Sequence, residues 1–341
     1  MGGSKQVLVI GGTGFIGAPV VRALVAGGHD VTVLARGGRS PQAARVVTAD
    51  RDDAAAMAAG LGGERFDLIV DLLVFDRGHV EGVFAIPRLE FDRYAFISSG
   101  QVYLVGDERH PPYRESESAR PLMAEPTAGT RDHREWAYGV GKRNAEAAAR
   151  ELGSRRGVAT TALRLPVVQG ANDGSRRLWA YLQRLLDGGP LLVPDGGHNP
   201  VRFVWSEDVG RALVALLDRP PGAVASDAYN LAQPDEPTLR ELLERVAAVA
   251  GITPAFVPCD EAALTLAGLD HQVSPYSGRW CSRPDPGLAA RDLGWVGTPS
   301  STWLPEVVAA HLTPTSRSGP AHPGYAHRAT ELALARTLVA R

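Results

Sequence analysis

The feature that most constrains the fold is a glycine-rich turn near the start of the chain. An apolar run, Gln6–Ile10, precedes the sequence Gly-Gly-Thr-Gly-Phe-Ile-Gly at residues 11–17, and an amphipathic helical pattern covers residues 14–26. Such a turn between a buried strand and a helix lets backbone N–H groups approach a pyrophosphate at the positive end of the helix. The sequence therefore predicts a dinucleotide-binding turn made by Gly11, Thr13, Gly14, Phe15, Ile16 and Gly17.

The end of the second predicted strand indicates which dinucleotide binds. Sites for NAD usually have a carboxylate about 20 residues after the turn, where it binds the ribose 2′-hydroxyl. This chain has Ala35 there, followed by Arg36 and Arg39. A guanidinium attracts the 2′-phosphate of NADP through charge-assisted hydrogen bonds, although both arginines are also compatible with solvated loop positions. We therefore predict NADP as the cofactor, with Asp50 either accepting from the adenine amino group or capping its strand.

Short apolar runs alternate with helical patterns throughout the first half of the chain. Strands are predicted at 6–10, 30–34, 45–48, 66–73, 94–98 and 160–165, and helices at 14–26, 53–61, 78–85 and 137–152. Strands buried on both faces and separated by helices form a parallel sheet wound on both sides. The predicted fold is α/β, a Rossmann-type doubly wound parallel sheet with a smaller C-terminal substrate-binding lobe.

The predicted domain boundaries follow from where this pattern loosens. Residues 5–170 with 201–231 form the predicted NADP-binding Rossmann domain, and residues 171–200 with 232–312 form the substrate-binding lobe. Residues 313–341 are predicted as a polar linker and a terminal helix, which either docks on its own chain or contacts a second subunit. The Pro- and charge-rich segment 107–135 is predicted to be a long surface loop or lid.

Tyr138 and Lys142 lie close to the predicted start of the helix at 137–152. Their i, i+4 spacing places the phenol and the ammonium on one helical face. Lys142 and Lys5 are the two lysines of the chain, so a lysine at this spacing is a specific choice. A free tyrosine has a pKa near 10, and a neighbouring cation moves that pKa towards neutrality. Ser99 ends the fifth predicted strand, where its hydroxyl can hold a substrate carbonyl.

Together these motifs resemble the extended short-chain dehydrogenase/reductase superfamily and its epimerase/dehydratase-like members. The resemblance covers nearly the whole chain and includes residues 11–17, Asp50, Ser99, Tyr138, Lys142, 163–170, 202–209, 229–231 and 290–295. It implies that Tyr138 exchanges the hydroxyl proton, that Lys142 binds the nicotinamide ribose and lowers the Tyr138 pKa, and that Ser99 orients the oxygen. It also implies that Leu73 and Pro166 contact the cofactor.

The chain departs from the family pattern in ways that bear on its substrate. Bulky residues 71–75 stand where small residues usually lie beneath the cofactor, and the expanded segment 107–135 lengthens the gap between Ser99 and Tyr138. Gly100-Gln101 replaces the Asp-Glu pair of sugar dehydratases, which disfavours dehydration by such a pair. Arg202 stands one residue later, relative to Asp208, than the phosphate-binding arginine of nucleotide-sugar members.

A further helix is predicted in the second lobe at residues 176–186. Leu178, Tyr181 and Leu182 form its apolar stripe, and the arginines of the helix, Arg184 among them, lie largely off the stripe and are expected to be solvated. Trp179 adds aromatic surface together with Phe203 and Trp205. The aromatic surface favours an apolar or ring-bearing ligand. The predicted substrate-binding residues are therefore Gln101, Trp179 and Arg202.

Composition and charge exclude several other classes. The net charge of −2 argues against a nucleic-acid partner, and two cysteines without a C-x-x-C pair argue against a disulfide framework or a zinc site. We expect no metal site. No apolar stretch is long enough to span a bilayer, so we expect a cytoplasmic protein with no membrane partner. A small molecule is the expected substrate, and a homodimer is compatible with the terminal helix.

The favoured function is an NADP(H)-dependent oxidoreductase of the ketoreductase or alcohol dehydrogenase type. It would transfer hydride between nicotinamide and a small ketone or alcohol, with Tyr138 as general acid/base. One alternative is a nucleotide-sugar epimerase with transient hydride transfer. The other is a cofactor-binding protein without redox turnover.

Overall fold

The computed structural model describes residues 3–37, 40, 45–108, 110–220, 224, 226–269 and 273–340. Its contacts divide the chain into two units. The first unit comprises Met1–Val168, Phe203–Gln233 and Ser282–Gly297, and the second comprises Gln169–Arg202, Pro234–Cys281 and Thr298–Arg341. The division drawn from the sequence put residues 282–297 in the substrate lobe, whereas their contacts group them with the first unit.

The strands are short and rich in apolar residues. They are β1 (Gln6–Ile10), β2 (Asp30–Ala35), β3 (Arg45–Thr48), β4 (Arg65–Asp71), β5 (Glu90–Ser99), β6 (Ala159–Leu165), β7 (Val167–Gln169), β8 (Leu191–Pro194), β9 (Phe203–Trp205), β10 (Ala228–Asn230) and β11 (Phe256–Cys259).

The helices lie mostly between these strands. They are α1 (Gly17–Ala26), α2 (Ala54–Leu61), α3 (Arg77–Phe84), α4 (Gln101–Leu104), α5 (Arg131–Arg156), α6 (Arg177–Leu186), α7 (Ser206–Asp218), α8 (Leu239–Ala250), α9 (Glu261–Leu266), α10 (Gly287–Leu293), α11 (Ser300–Leu312), α12 (Pro314–Arg317) and α13 (Arg328–Val339). Short 3₁₀ turns occupy Glu115–Ala119, Asp195–Gly197 and Pro323–His327.

The first unit contains a seven-stranded sheet in the order β10-β6-β5-β4-β1-β2-β3, and all of its strand pairs are parallel. The order reverses between β1 and β4, and in such sheets ligands bind at the carboxyl ends of the strands beside this point. The predicted doubly wound α/β fold is confirmed.

The sheet is buried on both faces because each strand alternates apolar side chains between two cores. Val7 and Val9 of β1 belong to a core shared with α1, α7 and α10. Leu8 and Ile10 belong to the opposite core, shared with α2, α3 and α5. This sandwich of helix, sheet and helix is what the near-continuous apolar strands require.

Helix α5 begins at Arg131, so the predicted start near residue 137 was wrong. The hydroxyl of Thr130 accepts a hydrogen bond from the His133 N–H at 3.2 Å and caps the helix. The charged residues that follow Thr130 therefore form the first turn of a helix, although their composition is typical of a loop. The helix ends at Gly157, whose φ of +68° suits glycine. Only part of the segment 107–135 is thus loop.

The second unit has its own core. Strands β8 and β11 form a parallel pair, and α13 packs within this unit through the buried residues Glu331 and Ala335. Glu331 forms an ion pair with Arg184 of α6 at 2.6 Å, and both side chains are almost fully buried. The terminal helix is therefore docked on its own chain. Within the described ranges, no helix combines the length and the apolar character needed to cross a membrane.

Candidate functional site

The glycine turn follows β1, as the sequence predicts. Gly11 has a φ of +88°, and a Cβ atom there would lie 2.8 Å from Cγ of Leu73. A Cβ on Gly17 would lie 2.2 Å from the Gly11 carbonyl oxygen. Gly11 therefore requires glycine for its backbone conformation, and both positions require it because neighbouring atoms leave no room for a Cβ. Leu73, which follows β4, forms the other wall of the turn.

The turn has the properties that a pyrophosphate site needs. Thr13 and Gly14 are exposed, and a Cβ on Gly14 would meet only the Gly11 oxygen at 3.8 Å. The backbone N–H groups of Phe15 and Ile16 have no acceptor among the residues that the structure describes. Bare backbone with free donors at the start of a ten-residue helix fits an anionic cofactor group.

The arginine predicted to bind the ribose 2′-phosphate lies directly after β2. Arg36 follows β2, is exposed, and forms no ion pair or hydrogen bond within the described part of the chain. Ala35 before it is buried and small. Arg39 lies outside the described residues. Asp50 is exposed, and one oxygen of its carboxylate accepts the Asp52 N–H at 3.1 Å, which leaves the other oxygen for a ligand.

The three predicted catalytic residues lie in the first unit at the carboxyl end of the sheet. Ser99 is the last residue of β5, and its Oγ accepts the Gln101 N–H at 3.2 Å. Tyr138 and Lys142 lie on α5, with Nζ of Lys142 5.5 Å from the centroid of the Tyr138 ring. Tyr138 is 37% exposed and Lys142 only 2%. The phenol is therefore accessible while the ammonium beneath it is buried.

Lys142 is held by one backbone carbonyl of β5 and one of the segment that follows β4. Its Nζ donates to the Ile97 oxygen at 2.8 Å and to the Val74 oxygen. Burial lowers the pKa of Lys142 to about 8, while the carboxylates of Asp71 and Glu146 act in the opposite direction and Arg51 adds to the lowering. An ammonium has three N–H donors, so one is available beyond these two carbonyls.

Two glycines explain how α5 comes so close to α4 and to the segment that follows β4. A Cβ on Gly139 would lie 2.5 Å from Cγ1 of Val105 and 2.8 Å from the Gln101 oxygen. A Cβ on Gly141 would lie 2.6 Å from the Phe75 oxygen. Glycine is unfavourable inside helices, so its presence on both sides of Val140 was a signal of close packing that the sequence analysis did not use.

Gln101 has a partner that the sequence analysis missed. Its Nε2 donates to Oε2 of Glu135 at 2.6 Å, and Gln101 itself is 7% exposed. Glu135 lies one helical turn before Tyr138 on α5. The pair therefore lies one helical turn from Tyr138, the predicted acid/base residue. Glu135 reaches Gln101 because α5 extends back to Arg131. In the sequence, the spacing of three residues between Glu135 and Tyr138, which suits one helical face, was the signal for this contact.

A buried network behind Lys142 was also missed. Glu146, one turn further along α5, forms an ion pair with Arg164 of β6 at 2.6 Å and accepts the Ser98 hydroxyl at 2.6 Å. Arg164 also donates to the Tyr103 hydroxyl at 2.9 Å. The network fixes α5 against β5 and β6. Pro166, a predicted cofactor contact, is buried directly after β6.

The remaining predicted substrate residues belong to the second unit. Trp179 is only 5% exposed, stacks on His311 with centroids 6.0 Å apart, and lies beneath the Arg176 guanidinium. Arg202 forms an ion pair with Glu236 at 3.6 Å. The expectation that the arginines of α6 are solvated was wrong for Arg184, because Glu331 compensates its buried charge.

Comparisons with known proteins agree with this geometry. The model of the NAD dependent epimerase/dehydratase family matches residues 7–232. The chain is 29% identical over 302 residues to 2'-dehydrokanamycin reductase of Streptomyces kanamyceticus, covering 84% of this chain and 78% of that protein. It is 28% identical over 313 residues to 3-diazoavenalumate denitrifying reductase of a Streptomyces species, covering 86% and 96%.

A solved structure shows the same fold. It is that of a short-chain dehydrogenase/reductase superfamily protein from Agrobacterium tumefaciens with bound NAD, with a TM-score of 0.64 and 21% identity over 90% of this chain and 97% of that one. The resemblance drawn from the motifs is confirmed, and the protein is an NAD(P)-dependent enzyme of the short-chain dehydrogenase/reductase type. The chain belongs to the NAD dependent epimerase/dehydratase family.

Proposed function

We propose that this enzyme is an NADP(H)-dependent reductase that converts a small ketone to an alcohol, with Tyr138 as the proton donor. The observation that carries the proposal is the accessible Tyr138 phenol above the buried Lys142 ammonium, 5.5 Å from Nζ to the ring centroid. A phenol is a weak acid and base unless a nearby cation stabilises the phenolate. This arrangement supplies that cation in a site where water does not screen it.

Each of the three residues has a distinct task. Tyr138 gives its proton to the oxygen of the substrate carbonyl, and the resulting phenolate is stabilised by Lys142. The third N–H of Lys142, beyond the carbonyls of Val74 and Ile97, donates to a ribose hydroxyl of the cofactor. Since Ser99 Oγ already accepts the Gln101 N–H, its own proton is available for the substrate oxygen.

The residues around the glycine turn fit a nicotinamide dinucleotide phosphate. The free N–H groups of Phe15 and Ile16 receive the pyrophosphate. Arg36, exposed and without a partner in the described ranges, binds the 2′-phosphate, with Arg39 as a second cation for this group. When bound, the cofactor supplies the hydride that reduces the carbonyl carbon.

Net reduction is favoured over epimerisation by the second unit and by the relatives. Binding a sugar diphosphate requires cations free to converge on it, yet Arg202 is already paired with Glu236 and Arg184 with Glu331. Gly100-Gln101 directly after Ser99 also takes the place of the Asp-Glu pair of sugar dehydratases, which disfavours dehydration by such a pair. Two relatives that match 84% and 86% of this chain carry reductase names, which supports net hydride transfer to the substrate.

The direct test follows NADPH absorbance with a panel of neutral and amino-substituted ketones, beside UDP- and dTDP-sugars. We expect consumption of NADPH with ketones, and Tyr138→Phe to lower turnover by about 100-fold or more with little change in NADPH affinity. Tyr325→Phe, in the second unit, removes a hydroxyl that donates to Asp187 and is the matched control. Interconversion of a nucleotide sugar without net NADPH consumption would replace the reductase with the epimerase.

A further inference from the structure

A second buried ion pair lies beside the catalytic lysine. It belongs neither to the family motifs nor to the proposed catalytic step. Asp71, the last residue of β4, is fully buried, and Arg51, after β3, has a 6% exposed side chain. Nη2 of Arg51 donates to Oδ2 of Asp71 at 2.7 Å, and the Tyr94 hydroxyl donates to the same oxygen at 3.0 Å. A buried ion pair is rarely a better source of stability than apolar residues of the same volume, so its presence here calls for another explanation.

Arg51 does more than neutralise Asp71. Its Nη1 donates to the Leu73 oxygen at 2.7 Å, and its Nη2 also donates to the His79 oxygen at 3.1 Å. Oδ1 of Asp71 accepts the Leu73 N–H at 3.0 Å. The guanidinium and the carboxylate therefore hold the chain between Asp71 and His79 at several points, through both side-chain and backbone atoms.

The held segment is the one on which the site depends. Leu73 packs against Gly11 of the glycine turn, as the 2.8 Å from the ideal Cβ to Cγ shows. The Val74 oxygen accepts a hydrogen bond from Lys142, and the Phe75 ring lies 5.2 Å from Nζ. A displacement of residues 73–75 would therefore move both the cofactor turn and the acceptor of the catalytic ammonium.

We propose that Arg51 and Asp71 are positioning residues that fix the segment between β4 and α3, and through it the place and charge of Lys142. The inference rests on the proposed function for its catalytic consequence but not for its structural one. Neither residue needs to touch substrate, and both act through the Leu73 and Val74 backbone.

Because Arg51 and Asp71 carry opposite charges near Lys142, removing each of them should shift the Lys142 pKa in a different direction. Among the residues that the structure describes, the charged or titratable groups around the ammonium are Asp71 from β4, Arg51 from the loop after β3, and Glu146 and Tyr138 from α5 itself. Loss of the Asp71 anion leaves Arg51 uncompensated and lowers the pKa of Lys142. Loss of the Arg51 cation leaves Asp71 uncompensated and raises it. A role limited to packing would not produce shifts of opposite sign.

The chain has only Lys5 and Lys142, so the full-length protein labelled with ¹³C at the lysine ε-carbon gives two resonances, and Lys5, whose side chain is 44% exposed, is an internal reference. We expect the Lys142 pKa in Asp71→Asn to lie about 1 unit or more below that in Arg51→Gln. Glu331→Gln, which removes a carboxylate from the buried pair of the second unit, is the matched control and should leave it unchanged. A difference below about 0.5 unit, or of the opposite sign, overturns the proposal.

Arg51→Lys tests position separately from charge, because an ammonium keeps the charge but not the planar fork that reaches several acceptors. This variant adds a third lysine resonance, which is identified by its absence from the spectrum of the unmodified protein. We expect the Lys142 pKa to stay within about 0.5 unit of that in the unmodified protein while NADPH affinity falls about 10-fold. Unchanged affinity in this variant also overturns the proposal. Both readouts work on a protein without turnover, so a failure of the reductase assay would not be mistaken for a failure of this inference.

Discussion

Alanine at Gly141 should damage the active site although alanine is the better helix former. In an unhindered helix, glycine to alanine stabilises by about 0.5–1 kcal/mol. A Cβ on Gly141, however, would lie 2.6 Å from the Phe75 oxygen. Helix α5 and the segment that follows β4 must then separate by about 0.5–1 Å to restore ordinary contact. Overpacking of this kind costs about 1–3 kcal/mol, so the net destabilisation is about 0–2.5 kcal/mol.

The effect on turnover should be larger than the effect on stability. Phe75 adjoins Val74, whose oxygen holds Lys142, and a displacement near 1 Å at a catalytic group costs about 100-fold in rate. Gly82 of α3 is the matched control, since it is exposed and a Cβ there meets nothing within 4 Å. Gly82→Ala should raise the thermal midpoint by about 1–2 °C and leave turnover unchanged. If Gly141→Ala behaved as Gly82→Ala does in calorimetry and NADPH consumption, the close approach of α5 to the strand end would be refuted.

Three further predictions use single sites. Arg36→Ala should weaken NADP binding by about 1.5–3 kcal/mol and leave NAD binding unchanged, which fluorescence titration of both cofactors measures; equal losses for the two would contradict a 2′-phosphate contact. Because the ammonium of Lys142 has a pKa of about 8, reduction should be constant below that pH and fall above it as the charge is lost, and a rate still rising at pH 9 would disprove the assignment. Glu146→Ala should destabilise the protein by about 3–5 kcal/mol in urea unfolding, because it leaves the Arg164 charge buried without its partner; a loss below about 1 kcal/mol would show that Arg164 finds another.

Several parts of the fold were predictable because they depend on local pattern. The strand β1, the glycine turn and α1 are read from apolar periodicity and from glycines within one short stretch. The parallel sheet follows from repeating that unit, since strands buried on both faces admit few other arrangements. The Tyr138 and Lys142 pair was equally accessible, because an i, i+4 spacing is a property of one helix.

The start of α5 was predicted wrongly because it depends on a single N-cap hydrogen bond and not on the local residue pattern. The charged residues after Thr130 are typical of a loop, and one hydroxyl hydrogen bond at that threonine makes them the first turn of α5. That extension brings Glu135 to Gln101. Likewise the arginines of α6 suggested a solvated face, whereas Glu331, far along the chain, compensates Arg184 in the interior.

The sequence by itself predicted the fold class, which the structure confirms, and it singled out the glycine turn and the pair of Tyr138 and Lys142 as the candidate cofactor and catalytic groups. Only the tertiary structure decided how that pair is held: Arg51 reaching Asp71, the Val74 oxygen receiving Lys142, and Gly141 meeting Phe75. Each of these contacts joins residues on different elements. The physical reason is that periodicity records which face of an element is buried, while packing of the finished sheet determines which distant group it meets there.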